Sequence, residues 1–200
     1  MRLTMLLLDF DRVLFDYGRF SRDYRRLFRS FGASHRLYAA TYTASRERQS
    51  GIYEHGTHLR LIKTNISRFR AIALERAIKK LVGRSAEYVY RDALPFLSRT
   101  RAMKTECILI SHGFRMQRHK IRASGLTRFF RRVIVTDDSD KTTAVAAALK
   151  GTHPARTVFI DDKKRIVDAV KRKFPTMHVI QLVRRKNQER SMHADAVLPN

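Results

Sequence analysis

Asp9 and Asp11 stand one residue apart at the end of the apolar run Leu6-Leu7-Leu8. A buried strand that stops at an Asp-x-Asp pair delivers two carboxylates to its carboxyl edge, where open α/β sheets bind ligands. Farther along, Ser111 closes the run Cys107-Ile108-Leu109-Ile110, Lys141 directly precedes a helical stretch, and Asp161-Asp162 end the run from Thr157. Gathered at one crevice, three or four carboxylates repel one another unless a cation lies among them, and oxygen-only ligands suit Mg²⁺. Such a set is equipped for phosphoryl transfer. The metal and Lys141 neutralise the phosphoryl group. One Asp attacks phosphorus as nucleophile, and the second, two residues on, carries protons.

The elements that must position these groups follow from periodicity. Leu3 to Asp9 reads as a first strand, left through a loop at Asp16-Tyr17-Gly18. Phe20, Tyr24, Leu27, Phe28 and Phe31 then recur at helical spacing, with Ser21 as N-cap and Gly32 as the stop. Leu37, Tyr38 and Tyr42 mark a second helix, His58 to Asn65 a short third, and Phe69 to Val82 an amphipathic fourth. Helices alone over so long a stretch exceed a simple strand-to-strand crossover, so residues 17–91 are expected as an all-helical insertion. Residues 1–16 and 92–200 form the expected core. After Pro95, helices alternate with strands at Cys107–Ser111, Val133–Thr136, Thr157–Asp161 and His178–Val183. That alternation implies an α/β fold, a Rossmann-like parallel sheet with helices on both faces.

Composition bounds the rest. A chain of 200 residues, 44% hydrophobic with 12 Phe and 7 Tyr, folds around a real core. The single cysteine, Cys107, excludes an internal disulfide and, inside an apolar run, reads as a core residue. No stretch is long and apolar enough to span a bilayer, and the short N-terminal run lacks the form of a signal peptide, so no membrane association and a cytoplasmic location are expected. Forty-two Lys and Arg against 18 Asp and Glu give a net charge of +24, spread along the whole chain. Such a balance attracts polyanions, with nucleic acid or ribosomes among the candidates, although charge alone does not specify a partner.

Asp9-Phe10-Asp11, the strand ending in Ser111, Lys141 before a helix and the Asp161-Asp162 pair together resemble, in order, the four motifs of the haloacid dehalogenase-like (HAD) superfamily. The resemblance covers essentially the whole chain, and the helical insertion lies where the family's C1-type cap lies. It implies a HAD-like core and a phosphatase that acts through an aspartyl-phosphate on a small phosphorylated metabolite, with phosphotransferase or mutase chemistry left open. By the resemblance Asp9 is the nucleophile, and Asp11 the general acid/base that also offers its backbone carbonyl to Mg²⁺. Ser111 and Lys141 bind the phosphoryl group, Lys141 also holding the charge of Asp9. Asp162 is a metal ligand with Asp161 beside it as support. Haloacid dehalogenation also uses an aspartate but lacks the second Asp of the first motif, so Asp11 favours phosphate. Cap closure over Asp9 excludes water in such enzymes.

Several positions depart from the family pattern. Arg12 stands where family phosphatases usually carry Gly, either as an extra anion contact for substrate or turned to solvent. His112 replaces an Asn that often follows the Ser and is placed with the phosphate-binding groups. Ile166 replaces the Asp or Asn often found four positions after Asp162, which weakens outer support for the metal. His55 and His58 read as surface histidines, not a metal pair. Tyr88 and Tyr90 read as core or linker packing, and Arg25, Arg26 and Arg29 as a solvated helix face. The run from Arg184 to Arg190 reads as a solvated loop. A non-enzymatic basic protein of the same fold is the alternative from a different class.

Overall fold

The first apolar run forms β1 (Met5–Leu8), with all four side chains buried. A computed structural model describes residues 3–49, 51–67 and 69–199. Within them β1 is joined by β2 (Glu106–His112), β3 (Arg132–Thr136), β4 (Thr157–Asp161), β5 (His178–Val183) and β6 (Ala196–Pro199). They make one six-stranded sheet in the order β3-β2-β1-β4-β5-β6, parallel at every pairing. The strand β6 has no counterpart in the sequence pattern. It is four residues long and only partly buried, and it ends in a proline that an edge strand tolerates.

The helices are α1 (Tyr17–Ser30), α2 (His35–Glu47), α3 (His55–Lys63) and α4 (Ala71–Gly83), then α5 (Ala93–Ala102), α6 (Arg115–Ala123), α7 (Thr142–Ala148) and α8 (Lys164–Lys173). The chain divides into two compact units, one of residues 1–16, 89–112 and 125–200, the other of residues 17–88 and 113–124. Thus α6, which lies in the strand-bearing half of the sequence, belongs to the helical unit, where it packs with α4.

In the strand-bearing unit, Leu7, Ile108, Ile110, Phe159 and Val179 of the sheet pack with Val145 of α7 and Ile166, Val167 and Val170 of α8. Each such side chain, once fully buried, contributes about 1.5–3 kcal/mol of transfer free energy. Ile166 is therefore committed to the apolar core and gives no outer support to a metal. Cys107 is buried in β2, where burial pushes its thiol up to about 11.

Three sequence expectations are corrected in the helical unit. The first helix begins at Tyr17, so Tyr17 and Gly18 are helical and Ser21 lies inside α1 instead of capping it. His58 is fully buried, not a surface residue. Its ring stacks on Phe28 at 4.8 Å, Nδ1 meets the Tyr53 hydroxyl at 2.9 Å, and Nε2 meets Thr41 Oγ1 at 2.9 Å. The Tyr53 hydroxyl lies 2.6 Å from that of Tyr24, so the polar atoms satisfy one another inside an aromatic core. Lys120 is also buried there, its ammonium 5.3 Å from the rings of Tyr17 and of Phe20 and donating to Gln117 at 2.8 Å. The expected packing of Tyr88 holds: it is buried against Phe20 and donates to Asp23 at 2.9 Å. Arg25, Arg26 and Arg29 are exposed.

Candidate active site

Where β1 ends, the Asp9 N–H donates to the Ile160 carbonyl at 2.9 Å. The register sets Leu8 opposite both Leu109 and Ile160. One step on, Asp9 and Asp161 stand level at the carboxyl ends of adjacent strands, with Ser111 one residue beyond that level on the other side. The sheet order reverses between β1 and β4, the position where open α/β sheets place ligands.

Lys141 arrives from the turn between β3 and α7. Its backbone takes a left-handed φ of 63°, which side chains other than Gly rarely adopt. The carboxylates around it hold the turn. Asp140 Oδ1 accepts from the Thr142 N–H at 2.9 Å and the Thr142 hydroxyl at 2.8 Å, while Asp138 Oδ2 accepts from the Thr143 N–H at 2.9 Å. These bonds satisfy the first turn of α7 and keep the Asp140 carboxyl below its ordinary range. So fixed, the Lys141 side chain is wholly buried, with Nζ 2.6 Å from Asp9 Oδ1 and 2.7 Å from Asp161 Oδ2. Burial alone pulls an ammonium down, but the two carboxylates outweigh it and hold Lys141 protonated.

Asp162 sits beside this triad, 2% exposed. One of its oxygens, Oδ2, accepts from Arg12 Nη1 at 3.3 Å, and the other, Oδ1, is buried with no hydrogen-bond partner. Burial, with the charges of Asp161 and Asp9, pushes its carboxyl up to about 7. Its main chain is anchored: the carbonyl accepts from Gln181 Nε2 at 3.0 Å and from Gln188 Nε2. Gln181 is fully buried and accepts in turn from the Ser191 N–H at 2.7 Å. A lone amide within the apolar strand His178-Val179-Ile180-Gln181-Leu182-Val183 is the signal that sequence reading passed over.

Of the predicted residues, Asp9, Lys141, Asp161 and Asp162 converge. Ser111 is buried at the end of β2, and His112 follows half-buried, its imidazolium disfavoured by burial and then by Lys163 and Lys141. Asp11 is half-buried in the turn after β1, bridged to Phe15, and its carboxylate lies outside the cluster formed by the other three. Arg12 is not turned to solvent: its guanidinium is paired with Asp162 at 3.3 Å. Its φ of 63° explains why a glycine suits this position. The run after β5 also departs from a solvated loop at its first residue. Arg184 stacks on Tyr90 at 4.1 Å and donates to the Val13 carbonyl at 3.0 Å and to Asp92 at 2.8 Å.

The donor set fits a hard divalent cation. Asp9, Asp161 and Asp162 each offer a carboxylate oxygen, all within 4.8 Å of one another and all buried. Asp161 spends its oxygens on Lys141 and the Lys163 N–H at 2.9 Å, whereas Asp162 Oδ1 is left open. A buried carboxylate oxygen without a partner costs free energy that a cation would recover.

No family model matches the chain, and no curated protein matches it in sequence. Solved structures do match in fold. A haloacid dehalogenase-like hydrolase of Burkholderia xenovorans superposes with a TM-score of 0.76 at 21% identity, covering 99% of this chain and 93% of that one. The HAD-hydrolase YfnB of Bacillus subtilis, bound to magnesium, gives 0.69 at 13% identity over 99% and 95% of the two chains. CbbY of Rhodobacter sphaeroides, in complex with phosphate, gives 0.64 at 16% identity over 98% and 93%. Dehalogenases are among the similar structures as well. The chain has the haloacid dehalogenase-like fold.

Proposed function

We propose that the protein is a Mg²⁺-dependent phosphatase that hydrolyses a phosphate monoester through an aspartyl-phosphate on Asp9. The observation that carries this reading is the buried contact between Lys141 and Asp9, at 2.6 Å, beside the open oxygen of Asp162. A carboxylate held by an ammonium at the carboxyl end of a central strand is oriented before substrate arrives, and phosphoryl transfer relies on such positioning and charge compensation. Because the fold is shared with dehalogenases, the choice of phosphate rests on Asp11.

In this reading an oxygen of Asp9 attacks phosphorus, and the bond from phosphorus to the ester oxygen breaks. Asp11 gives its proton to the departing alkoxide. Asp11, now a carboxylate, takes a proton from water, whose oxygen attacks phosphorus while the bond to Asp9 breaks, releasing inorganic phosphate. Ser111 hydrogen-bonds the transferring group, His112 next to it at the end of β2 adds a further polar group for the phosphate, and Lys141 offsets its charge. Asp9, Asp162 and the Asp11 backbone carbonyl would hold Mg²⁺, with Asp161 as support. When bound, the ion neutralises charge on the transferring phosphoryl oxygens.

Release of phosphate from p-nitrophenyl phosphate, dependent on Mg²⁺ and abolished in Asp9→Asn, is the expected result. No turnover across a broad panel of phosphorylated metabolites, with halide released from a 2-haloacid, would replace the reading with dehalogenation. No turnover at all, with steeply salt-dependent nucleic-acid binding that survives Asp9→Asn, would instead favour a non-enzymatic basic protein, for which the +24 charge is the motive.

A further inference from the structure

Beside Asp162 lies a pocket of about 380 Å³, contained within the strand-bearing unit and formed by the loop into α8 and the loop after β5. Its cationic lining is Arg12, Lys163, Lys164, Arg165 and Arg185, against the carboxylates of Asp162 and Glu189. Two of the five cations are neutralised within the wall, Arg12 by Asp162 at 3.3 Å and Lys164 by Glu189 at 2.8 Å. Arg165 donates to the Ser139 carbonyl at 2.6 Å, which leaves its charge uncompensated. Among the described residues, Lys163, Arg165 and Arg185 have no carboxylate partner.

Lys163 feels the nearby charges of Asp161 and Asp162, yet five cations against two carboxylates in one concavity leave an excess of positive charge that repels itself, and the chain's +24 charge adds to that cost. A concave low-dielectric wall focuses their field into the pocket, which makes it a place for an anion with more than one charge. Asn187 on the same wall carries an amide group able to donate to phosphate oxygens. The inner boundary is the Arg12–Asp162 pair, so the pocket opens directly beside the carboxylate cluster of the site.

We propose that this pocket binds a second phosphate group of the substrate, so that the preferred substrates are bisphosphates or phosphorylated nucleic-acid ends and not simple monophosphates. The inference rests on the phosphatase reading for what happens at Asp9, but not for the binding itself. One phosphate is attacked at Asp9 while the other is held by Lys163, Arg165 and Arg185.

The test is equilibrium binding by calorimetry to the full-length Asp9→Asn chain, with three probes: adenosine 5′-monophosphate, adenosine 3′,5′-bisphosphate and a 5′-phosphorylated deoxyoligonucleotide. The bisphosphate should bind at least tenfold more tightly than the monophosphate. In Lys163→Glu/Arg185→Glu that advantage should fall to within twofold. In a control of equal charge change, Lys79→Glu/Arg128→Glu, it should persist. The milder pair Lys163→Gln/Arg185→Gln, checked by its thermal melt, guards against misfolding. Equal binding of mono- and bisphosphate, or equal losses in the pocket and control variants, overturns the proposal. If the oligonucleotide binds more tightly than the bisphosphate and is the probe weakened by the pocket variants, the second phosphate belongs to a nucleic acid; the reverse order assigns a small metabolite. Failure of the phosphatase reading shows separately, as no phosphate release by the unsubstituted chain from any probe.

Discussion

The ammonium of Lys141 lies 2.6 Å from Oδ1 of Asp9, and neither side chain is more than 4% exposed. Asp161 completes a buried triad at 2.7 Å from the same ammonium. One cation thus serves two carboxylates where water cannot, so the triad matters to folding as well as to chemistry.

Lys141→Met should therefore be destabilising beyond the loss of any catalytic role. Removing one partner of a buried ion pair leaves uncompensated charge and costs about 3–5 kcal/mol. Chemical denaturation of Lys141→Met should show a loss of that order, and Lys141→Met/Asp161→Leu should recover part of it. A loss below ~1 kcal/mol would mean that solvent reaches the triad.

Arg12→Gly should tighten divalent-cation binding about three- to tenfold, because the guanidinium no longer sits on Asp162. Glycine also removes the strain of a left-handed φ, worth about 1 kcal/mol, which offsets the lost ion pair and leaves stability nearly unchanged. Titration with Mn²⁺, followed by electron paramagnetic resonance, reads the affinity directly. Equal affinities in the two proteins would show that Arg12 does not compete with the ion.

Gln181→Leu should cost about 1–3 kcal/mol, since it strips partners from the Asp162 and Glu189 carbonyls and the Ser191 N–H in a buried place. The anchored Asp162 loop would loosen, so amide exchange at residues 162 to 164 should accelerate in the variant. Unchanged protection there would mean that Gln188 alone fixes the loop.

Acid should destabilise the helical unit through His58, whose burial lowers its pKa from 6.5 to about 4. Between those values the unfolded chain binds a proton that the folded chain refuses. Stability due to this residue is thus full above pH 6.5 and falls as pH drops towards 4, by up to about 1.4 kcal/mol per pH unit. The difference in melting temperature between the unsubstituted chain and His58→Gln should shrink over that window. A constant difference from pH 7.5 to 4.5 would exclude the titration.

What the sequence by itself determined are the features written in local pattern. The apolar run to Leu8 specified a buried strand, the helix–strand alternation after Pro95 specified a parallel sheet, and Asp9, Ser111, Lys141 and Asp161 fell at strand ends or turns. Tertiary structure decided what depends on contacts distant in sequence. Arg12 meets Asp162, 150 residues away, a pairing with a buried acid that no local pattern around Arg12 announces. His58 became a core residue because Phe28, Thr41 and Tyr53 satisfy and enclose its ring. The edge strand β6 carries too few buried residues to leave a period of its own and exists by pairing with β5. Periodicity reports which face of an element is buried; which charged group answers which is settled only when the chain has folded.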